Sequence, residues 1–243
     1  MRGFRILIML SILPLFACSR ADAATVWFEP AESAVTNRND CGIVSAVVGE
    51  ATAKGQFASD MEKGVAVDAF DRVAMGDELE TGPNARLEFS TGTNLLSLLD
   101  SESKVKVASV KVFHDSTGRY ATRLVVRLLH GSVRVQCRLN IETPESVMVE
   151  AGGVSVLLAK GDVIVSTAKG WTISVLDGEM LYRTPNGDIH TLNLGEVATQ
   201  NADIGSLSEK EVANMMIALP FSYETHRAAL PPMPPPDPFA EAP

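Results

Sequence analysis

The chain lacks a second long apolar run, and it contains few cysteines, few aromatic residues and few positive charges. Beyond residue 17 no stretch approaches the roughly twenty apolar residues that a membrane-spanning helix needs. The sequence also contains no G-x-S-x-G, H-E-x-x-H or G-x-x-x-x-G-K-[ST] motif. These motifs mark many serine hydrolases, zinc proteases and nucleotide-binding enzymes. We therefore predict that the protein is not an enzyme and that it uses no cofactor.

The N-terminus has the features of an export signal. Two arginines precede an apolar run over residues 6–17, which is a usual length for the core of a signal peptide. Cleavage after Ala23 would remove residues 1–23 and release a soluble periplasmic or secreted chain. Alternatively, residues 15–18 resemble the lipobox of bacterial lipoproteins, and cleavage there would leave Cys18 as a lipidated N-terminus. The sequence leaves both cleavage sites open.

The cysteines fit an exported chain. Removal of residues 1–23 would leave Cys41 and Cys137. In an oxidising compartment such a pair is a disulfide candidate, and two unrelated free thiols are the alternative. The histidines are dispersed and lie at no close spacing to a cysteine. Because structural zinc sites need closely spaced ligands, we predict no metal site.

The scarcity of positive charge limits the classes of partner that the chain can bind. The formal net charge is −9, and loss of residues 1–23 would remove three positive charges and one negative charge. An acidic chain repels nucleic acid and anionic lipid through its overall field. We therefore predict no nucleic-acid partner, and membrane contact only if Cys18 is lipidated.

Signals for a turn followed by a strand recur from about residue 43 to residue 199, which predicts an all-β domain over residues 43–199. Gly161, Gly178 and Gly195 are seventeen residues apart. A repeated spacing near twenty is typical of the coils of a solenoid, although any β-rich sequence has glycine turns. We therefore predict a repetitive β-solenoid or a β-sandwich.

Single strands show a clear period of two. The segment HGSVRVQCRL alternates apolar residues with polar ones, which predicts a half-buried strand with its polar face in water. The predicted water-facing residues are Arg134, Gln136 and Arg138. Farther along, Gly152 and Gly153 interrupt two Val-rich stretches and predict a bulge or a tight corner.

One short helix is predicted within residues 200–229. Ser208 can cap it, Glu211 completes a capping box, and Pro220 ends it. Its apolar stripe is predicted to pack over the open end of the β stack, with partner docking as the alternative. The stripe consists of Val212, Met215, Met216 and Leu219. Residues 24–42 give no clear signal, and the proline-rich residues 230–243 predict a disordered tail.

Residues 75–92, MGDELETGPNARLEFSTG, place a Gly-Asp turn, a strand, a Thr-Gly-Pro-Asn turn, a second strand and a further glycine in order. This order resembles the FecR domain family, and similar segments continue to about residue 199. The matching turn residues are Gly76, Asp77, Thr81, Gly82, Asn84 and Gly92. Two departures stand out. The chain has Ala151-Gly152-Gly153 where the family commonly has an Arg-Gly-Thr turn. It also has an export signal where anti-sigma members carry a cytoplasmic sigma-binding segment and a membrane helix.

The resemblance implies a FecR-like β domain whose turn residues build a scaffold and perform no chemistry. It implies an exported protein-interaction module in the cell envelope of a Gram-negative bacterium, taking part in envelope signalling. Exposed strand edges would bind an unidentified protein partner. The alternative is a structural β scaffold, anchored as an outer-membrane lipoprotein through Cys18. An enzyme or a lipid carrier with a groove in the β frame is a third hypothesis.

Overall fold

The structure is a computed structural model that describes residues 36–37, 40–55, 64–92, 94–114, 120–138, 145–201 and 203–224. Within these ranges the chain is mostly β, with one short C-terminal helix, α1 (Glu209–Ala218), as predicted. The strands are β1 (Thr36–Asn37), β2 (Asp40–Val48), β3 (Ala51–Lys54), β4 (Val65–Ala66), β5 (Arg72–Ala74), β6 (Glu78–Thr81), β7 (Arg86–Thr91), β8 (Leu95–Leu99), β9 (Lys104–His114), β10 (Tyr120–His130), β11 (Ser132–Cys137), β12 (Glu145–Ala151), β13 (Val154–Ser166), β14 (Thr172–Arg183), β15 (Ile189–Asn193), β16 (Glu196–Thr199) and β17 (Ile204–Ser206).

The strands form one curled, mixed sheet, a half-barrel in which two layers face each other. Layer I runs in the order β5–β2–β7–β8–β11–β13–β14–β16–β17. Layer II runs in the order β4–β3–β6–β9–β10–β12–β13–β14–β15, and β1 pairs with the far end of β9. The long hairpin β13–β14 belongs to both layers and joins them along one side.

The bend of this long hairpin lies at two glycines that face each other. Gly161 pairs with Gly178 in the ladder, and both have positive φ, +128° and +77°. Before the bend β13 pairs with β12 in layer II, and after it β13 pairs with β11 in layer I. Because glycine adopts positive φ without a steric penalty, the pair lets both strands change layer at one position.

The space between the layers holds one apolar core. In β10, Leu124, Val126 and Leu128 point into this core, whereas Arg127 lies exposed on the outer side. The other strands show the same period of two, which is the alternation predicted from the sequence. Burying one such Val or Leu side chain contributes about 1.5–3 kcal/mol. The facing layers are therefore held mainly by these alternating residues.

Part of the chain follows a solenoid-like path. From β10 in layer II the chain turns at Gly131 into β11 in layer I, and it returns to layer II as β12, parallel to β10. Among the described strands this is the one parallel ladder, and the others are antiparallel. Gly152 and Gly153 form the two-residue turn between β12 and β13, which is the tight corner that the sequence predicted. A stack of regular solenoid coils stays a prediction.

The helix begins and ends where the sequence predicted. Ser208 is the N-cap, its side chain accepts from the Glu211 N–H, and the Glu211 carboxylate accepts from the Ser208 N–H at 2.8 Å. The position of the helix differs from the prediction. Its apolar stripe packs with Leu98 and Ile164 on the outer face of layer I, and not over the open end of the β stack. The physical reason is that layer I carries apolar residues on its outer face too, and these need cover.

The described strands extend the predicted β region at both ends. β2 begins at Asp40, before residue 43, and β17 follows residue 199. The predicted signal peptide, Cys18 and the proline-rich tail lie outside the described residues. In the described part of the chain, no helix has the length and hydropathy to cross a membrane.

The disulfide between Cys41 and Cys137 stays a prediction. Cys137 is a buried free thiol on β11. Cys41 lies on β2, and two strands, β7 and β8, separate β2 from β11 in layer I. The side chain of Cys41 is outside the described set.

Candidate functional site

Five of the turn residues that carry the FecR resemblance, Gly76, Asp77, Thr81, Gly82 and Asn84, lie where the chain changes layer. Gly92, with φ +63°, lies in the β7–β8 turn within layer I. Asp77 caps strand β5, because its carboxylate accepts from the Ala74 N–H at 2.7 Å and its own N–H donates to the Ala74 carbonyl at 3.2 Å. Gly76, with φ +95°, makes this return possible. The Gly-Asp turn therefore satisfies backbone groups on the edge of β5 that faces away from β2.

The second turn joins β6 to β7. Thr81 Oγ1 lies 2.5 Å from the Asp100 carbonyl and accepts from the Ser103 N–H at 3.0 Å, which ties this corner to the β8–β9 corner. Asn84 has φ +56°, and its N–H donates to Ser101 Oγ at 2.9 Å. Gly82 and Asn84 are both among the turn residues that match the FecR pattern. In the structure Asn84 has the positive φ of this turn, and Gly82 does not.

The side of the half-barrel opposite the β13–β14 hairpin is its open margin, formed by β4, β5 and the connecting residues 67–71. Among the described strands, β4 pairs with β3 alone and β5 with β2 alone. A cavity of about 370 Å³ lies beneath this margin. Its walls are mainly apolar, and they include Val44, Ala53, Val65, Val67, Val73 and Leu79. The margin therefore combines an unpaired strand edge with an apolar cavity.

The free edge of β4 is directed outward. Val67 donates its N–H to the Ala51 carbonyl at 3.0 Å. Because alternate residues of an antiparallel strand direct their backbone groups to opposite sides, the N–H and C=O of Ala66 point away from β3. The side chains of Val65 and Ala66 are exposed. An incoming strand can therefore pair with β4, whereas Asp77 occupies the corresponding edge of β5.

Phe70 lies at the tip of the turn that crosses the open margin. Its side chain is 84% exposed, and its φ is +77°, a conformation that is an outlier for a bulky residue. The turn is held in place by hydrogen bonds, from the Phe70 N–H to the Val44 carbonyl and from the Asp68 N–H to the Asp71 carboxylate, both at 2.8 Å. Such backbone strain costs about 1–3 kcal/mol and clusters at functional sites. An aromatic ring held in water beside an apolar cavity is a candidate contact residue.

Comparison with solved structures gives a fold similar to two crystal structures of a candidate anti-sigma factor from Parabacteroides distasonis. Each has a TM-score of 0.43 and 12% sequence identity, and each covers 57% of this chain. The chain spans 64% and 63% of those two chains, less than two thirds of their length. No protein-family model matches the sequence, and neither does any curated protein. A similarity at this level assigns neither a family nor a partner, and FecR membership stays a prediction.

Arg134, on the outer face of layer I, is buried, contrary to the prediction. Arg134 was predicted to lie in water, and in the structure its side chain is 0% exposed. It forms ion pairs with Asp162 at 2.6 Å and with Glu224 at 2.9 Å. The alternation in β11 correctly identified its outer face, but Glu224 lies ninety positions along the chain. No local signal could show that this face is covered.

A second buried arginine lies on the outer face of layer II. Arg123 donates from Nε to Ser146 Oγ at 3.3 Å, and burial lowers the pKa of its guanidinium to about 10. Ser146 lies opposite Arg123 in the parallel β10–β12 ladder. Arg123 therefore stays positively charged at neutral pH in a largely apolar setting.

The Cys137 thiol is expected to be unreactive in the folded protein. Burial, and then the negative charge of Glu145, raise the pKa of this thiol to about 12. Against an exposed thiol with a pKa near 8.5, the thiolate fraction at pH 8 falls by about a thousandfold or more. Iodoacetamide labelling followed by mass mapping of the Cys137 peptide should show no label in the native chain and complete label in urea. Labelling of the native chain at the rate of a free thiol would contradict this expectation.

Proposed function

We propose that this protein is an exported protein-interaction module of the cell envelope, which binds an extended segment of a protein partner at its open margin. The observation that carries the proposal is the outward-facing edge of β4 beside the strained, exposed Phe70. An exposed strand edge offers backbone hydrogen bonds to an incoming strand, and neighbouring pockets give side-chain specificity. The 370 Å³ apolar cavity supplies such a pocket. The resemblance to FecR domains supports envelope signalling as the context of this binding.

Among the described residues, the edge of β4 lacks the protection that exposed strand edges usually have. The added strand would continue layer II beyond β4 toward β5, and so narrow the gap between the two layers. Exposed edges that have no partner are usually blunted by proline, charge or a covering loop. Here Asp77 satisfies the backbone groups of Ala74 at the end of β5, whereas β4 presents Val65, which is 44% exposed, and Ala66. The β4 edge is therefore the one that an added strand would use.

Substitution of Phe70 tests the proposal, because its effect on partner binding can be measured separately from its effect on stability. Phe70→Gly removes the ring and relieves the positive-φ strain, so the free energy of unfolding should stay unchanged or rise by about 1 kcal/mol. Capture of an envelope partner by the immobilised chain should nevertheless fall at least tenfold. Ala66→Pro should have the same effect on capture, because it removes an N–H that points away from β3.

Leu194→Ala is the matched control, because Leu194 is also exposed, at 59%, but lies in the β15–β16 turn away from the margin. The Leu194→Ala variant should capture as much of the envelope partner as the wild type does. Equal capture by the wild type and both margin variants would sink the proposal of binding at the margin. Capture by none of the four chains would favour the structural scaffold instead.

A further inference from the structure

The outer face of layer I is covered by the C-terminal strap, residues 208–224. The residues beneath the strap alternate with core residues on β7, β11 and β13, and include Glu88, Arg134 and Asp162. Each of these three is less than 5% exposed, although each lies on the outer side of the sheet. Buried charges are costly unless they are paired. The strap therefore supplies the partners that these charges need.

Arg134 contacts both the sheet and the strap. Its Nε and Nη2 donate to the Asp162 carboxylate at 3.0 and 2.6 Å from within the sheet. From the strap, Glu224 accepts from both Nη atoms at 2.9 and 3.0 Å, and the Leu219 carbonyl accepts from Nη1. The guanidinium carbon also lies 4.5 Å from the centre of the Phe221 ring. One arginine thus contacts a carbonyl, an aromatic ring and a carboxylate within six residues of the strap.

The neighbouring contacts are made largely to the strap backbone and to its second aromatic ring. Glu88 accepts from the Ser222 N–H at 2.6 Å and from Ser222 Oγ at 2.9 Å. Tyr223 donates its hydroxyl to Gln136 Oε1 at 3.0 Å, and the Arg138 guanidinium lies 4.4 Å from the Tyr223 ring centre. Glu88 therefore contacts both the backbone and the side chain of Ser222. The face therefore contacts a short pattern in the strap: an aromatic residue, a serine, an aromatic residue and an acid.

α1 is held less firmly than residues 219–224, because its apolar stripe is only partly buried against Leu98 and Ile164. α1 contains no buried residue, and Ile217 on it is 75% exposed. The three residues of β17, just before the strap, are all exposed. Segments with few buried contacts open locally at low free-energy cost. Residues 219–224 therefore provide most of the buried attachment, and α1 and β17 open at a lower free-energy cost than these six residues do.

We propose that the outer face of layer I is a second peptide-binding site, which takes a partner segment of the pattern aromatic–serine–aromatic–acid and which the strap occupies as a resident competitor. Charge complementarity supports this occupant, because the two arginines beside the bound rings, Arg134 and Arg138, match one acid and two aromatic faces. The site is distinct from the open margin, which lies at the far edge of layer I. A competitor within the chain lowers apparent affinity by the fraction of time that it leaves the face open.

The test uses the full-length chain and a fluorescein-labelled synthetic peptide with the sequence of residues 208–224. The double variant Phe221→Ala/Glu224→Ala removes the side chains by which the strap binds Arg134. We expect this variant to bind the peptide at least tenfold more tightly than the wild type does. A control peptide carrying Glu224→Lys should bind the variant at least tenfold more weakly, because it places a cation against Arg134.

Two outcomes would overturn the proposal. One is the absence of saturable binding to a strap variant that remains folded by circular dichroism. The other is equal binding of the unaltered peptide and the Glu224→Lys control peptide. The Phe70→Gly variant, combined with the strap substitutions, should bind the peptide unchanged, so this result is independent of the margin.

A second measurement does not depend on the strap variant folding. Excess peptide added to the wild type should raise the hydrogen-exchange rate of the α1 amides, while β11 and β13 stay protected. Unchanged exchange in α1 at saturating peptide would overturn the proposal. A concentration-dependent wild-type dimer that the strap substitutions abolish would assign the face to a second copy of this chain, and would overturn the partner assignment.

Discussion

Replacing Arg134 with methionine is expected to lower the free energy of unfolding by about 3–5 kcal/mol, because it leaves a buried carboxylate without its cation. Asp162 is 1% exposed, and burial already raises the pKa of its carboxyl above the usual range although Arg134 lies beside it. Glu224 is partly exposed and can turn toward water. Unpaired Asp162 therefore causes most of the decrease in the free energy of unfolding.

The pH dependence of the stability loss in Arg134→Met follows from the raised pKa of Asp162. A carboxyl whose folded-state pKa is raised favours the protonated form in the fold. Its cost to stability is therefore complete above that pKa, falls as the pH drops through it, and disappears below the unfolded-state pKa. Without Arg134 the pKa of Asp162 should rise further. The stability deficit of the variant should thus be largest near neutral pH and should shrink as the pH falls. Urea unfolding followed by circular dichroism at several pH values measures it.

The matched control is the double variant Arg134→Met/Asp162→Leu. Replacing a buried ion pair with apolar residues of similar volume is often close to neutral, so most of the lost stability should return. A deficit below about 1 kcal/mol in Arg134→Met alone would contradict the prediction. It would mean that the face beneath the strap is solvated in solution.

Replacing Gly161 with alanine is expected to destabilise the fold by about 4 kcal/mol, from backbone strain and from overpacking together. The φ of +128° is one that residues with a side chain rarely adopt. An added Cβ would also overlap the backbone carbonyl of Asp177 on the facing strand, and the Gly178 Cα lies 3.1 Å away. Since both neighbours are backbone atoms of a paired strand, neither can move without opening the bend between the layers.

Gly187→Ala is the control that separates the cost of backbone strain from the cost of overpacking. Gly187 also has positive φ, +93°, but nothing lies within 4 Å of the position of its Cβ. Its substitution should cost about 1–2 kcal/mol, from strain alone. Thermal unfolding of both variants measures the difference. Equal losses in the two variants would show that the bend has room for a side chain, contrary to the structure.

Much of the local structure could be predicted from the sequence. The strand around Val133 and Val135, the two-residue corner at Gly152-Gly153 and the helix capped by Ser208 all lie where local patterns indicated. Each of these features depends on residues within a few positions of one another. A period of two, a pair of glycines and a capping box therefore specify them without reference to the remainder of the chain.

The candidate sites were only partly visible in the sequence. The Gly-Asp turn was identified, but its task of capping the edge of β5 depends on where Ala74 lies. Phe70 gave no signal, because a single aromatic residue between two aspartates resembles any surface turn. The prediction that the helix covers the open end of the β stack was wrong, since the apolar residues on the outer face of layer I lie on strands that are distant in sequence.

The sequence by itself determined the β class, the alternating faces of the strands, the tight glycine turns and the ends of the helix, because these follow from short-range sterics and hydrogen bonding. Only the tertiary structure decided which face is covered and which edge is free. Arg134 is buried because a segment eighty-five to ninety residues later crosses it. Among the described strands β4 pairs with β3 alone, because the two layers join at β13–β14 and not at the opposite margin. Both outcomes depend on contacts between distant parts of the chain, and no local pattern encodes them.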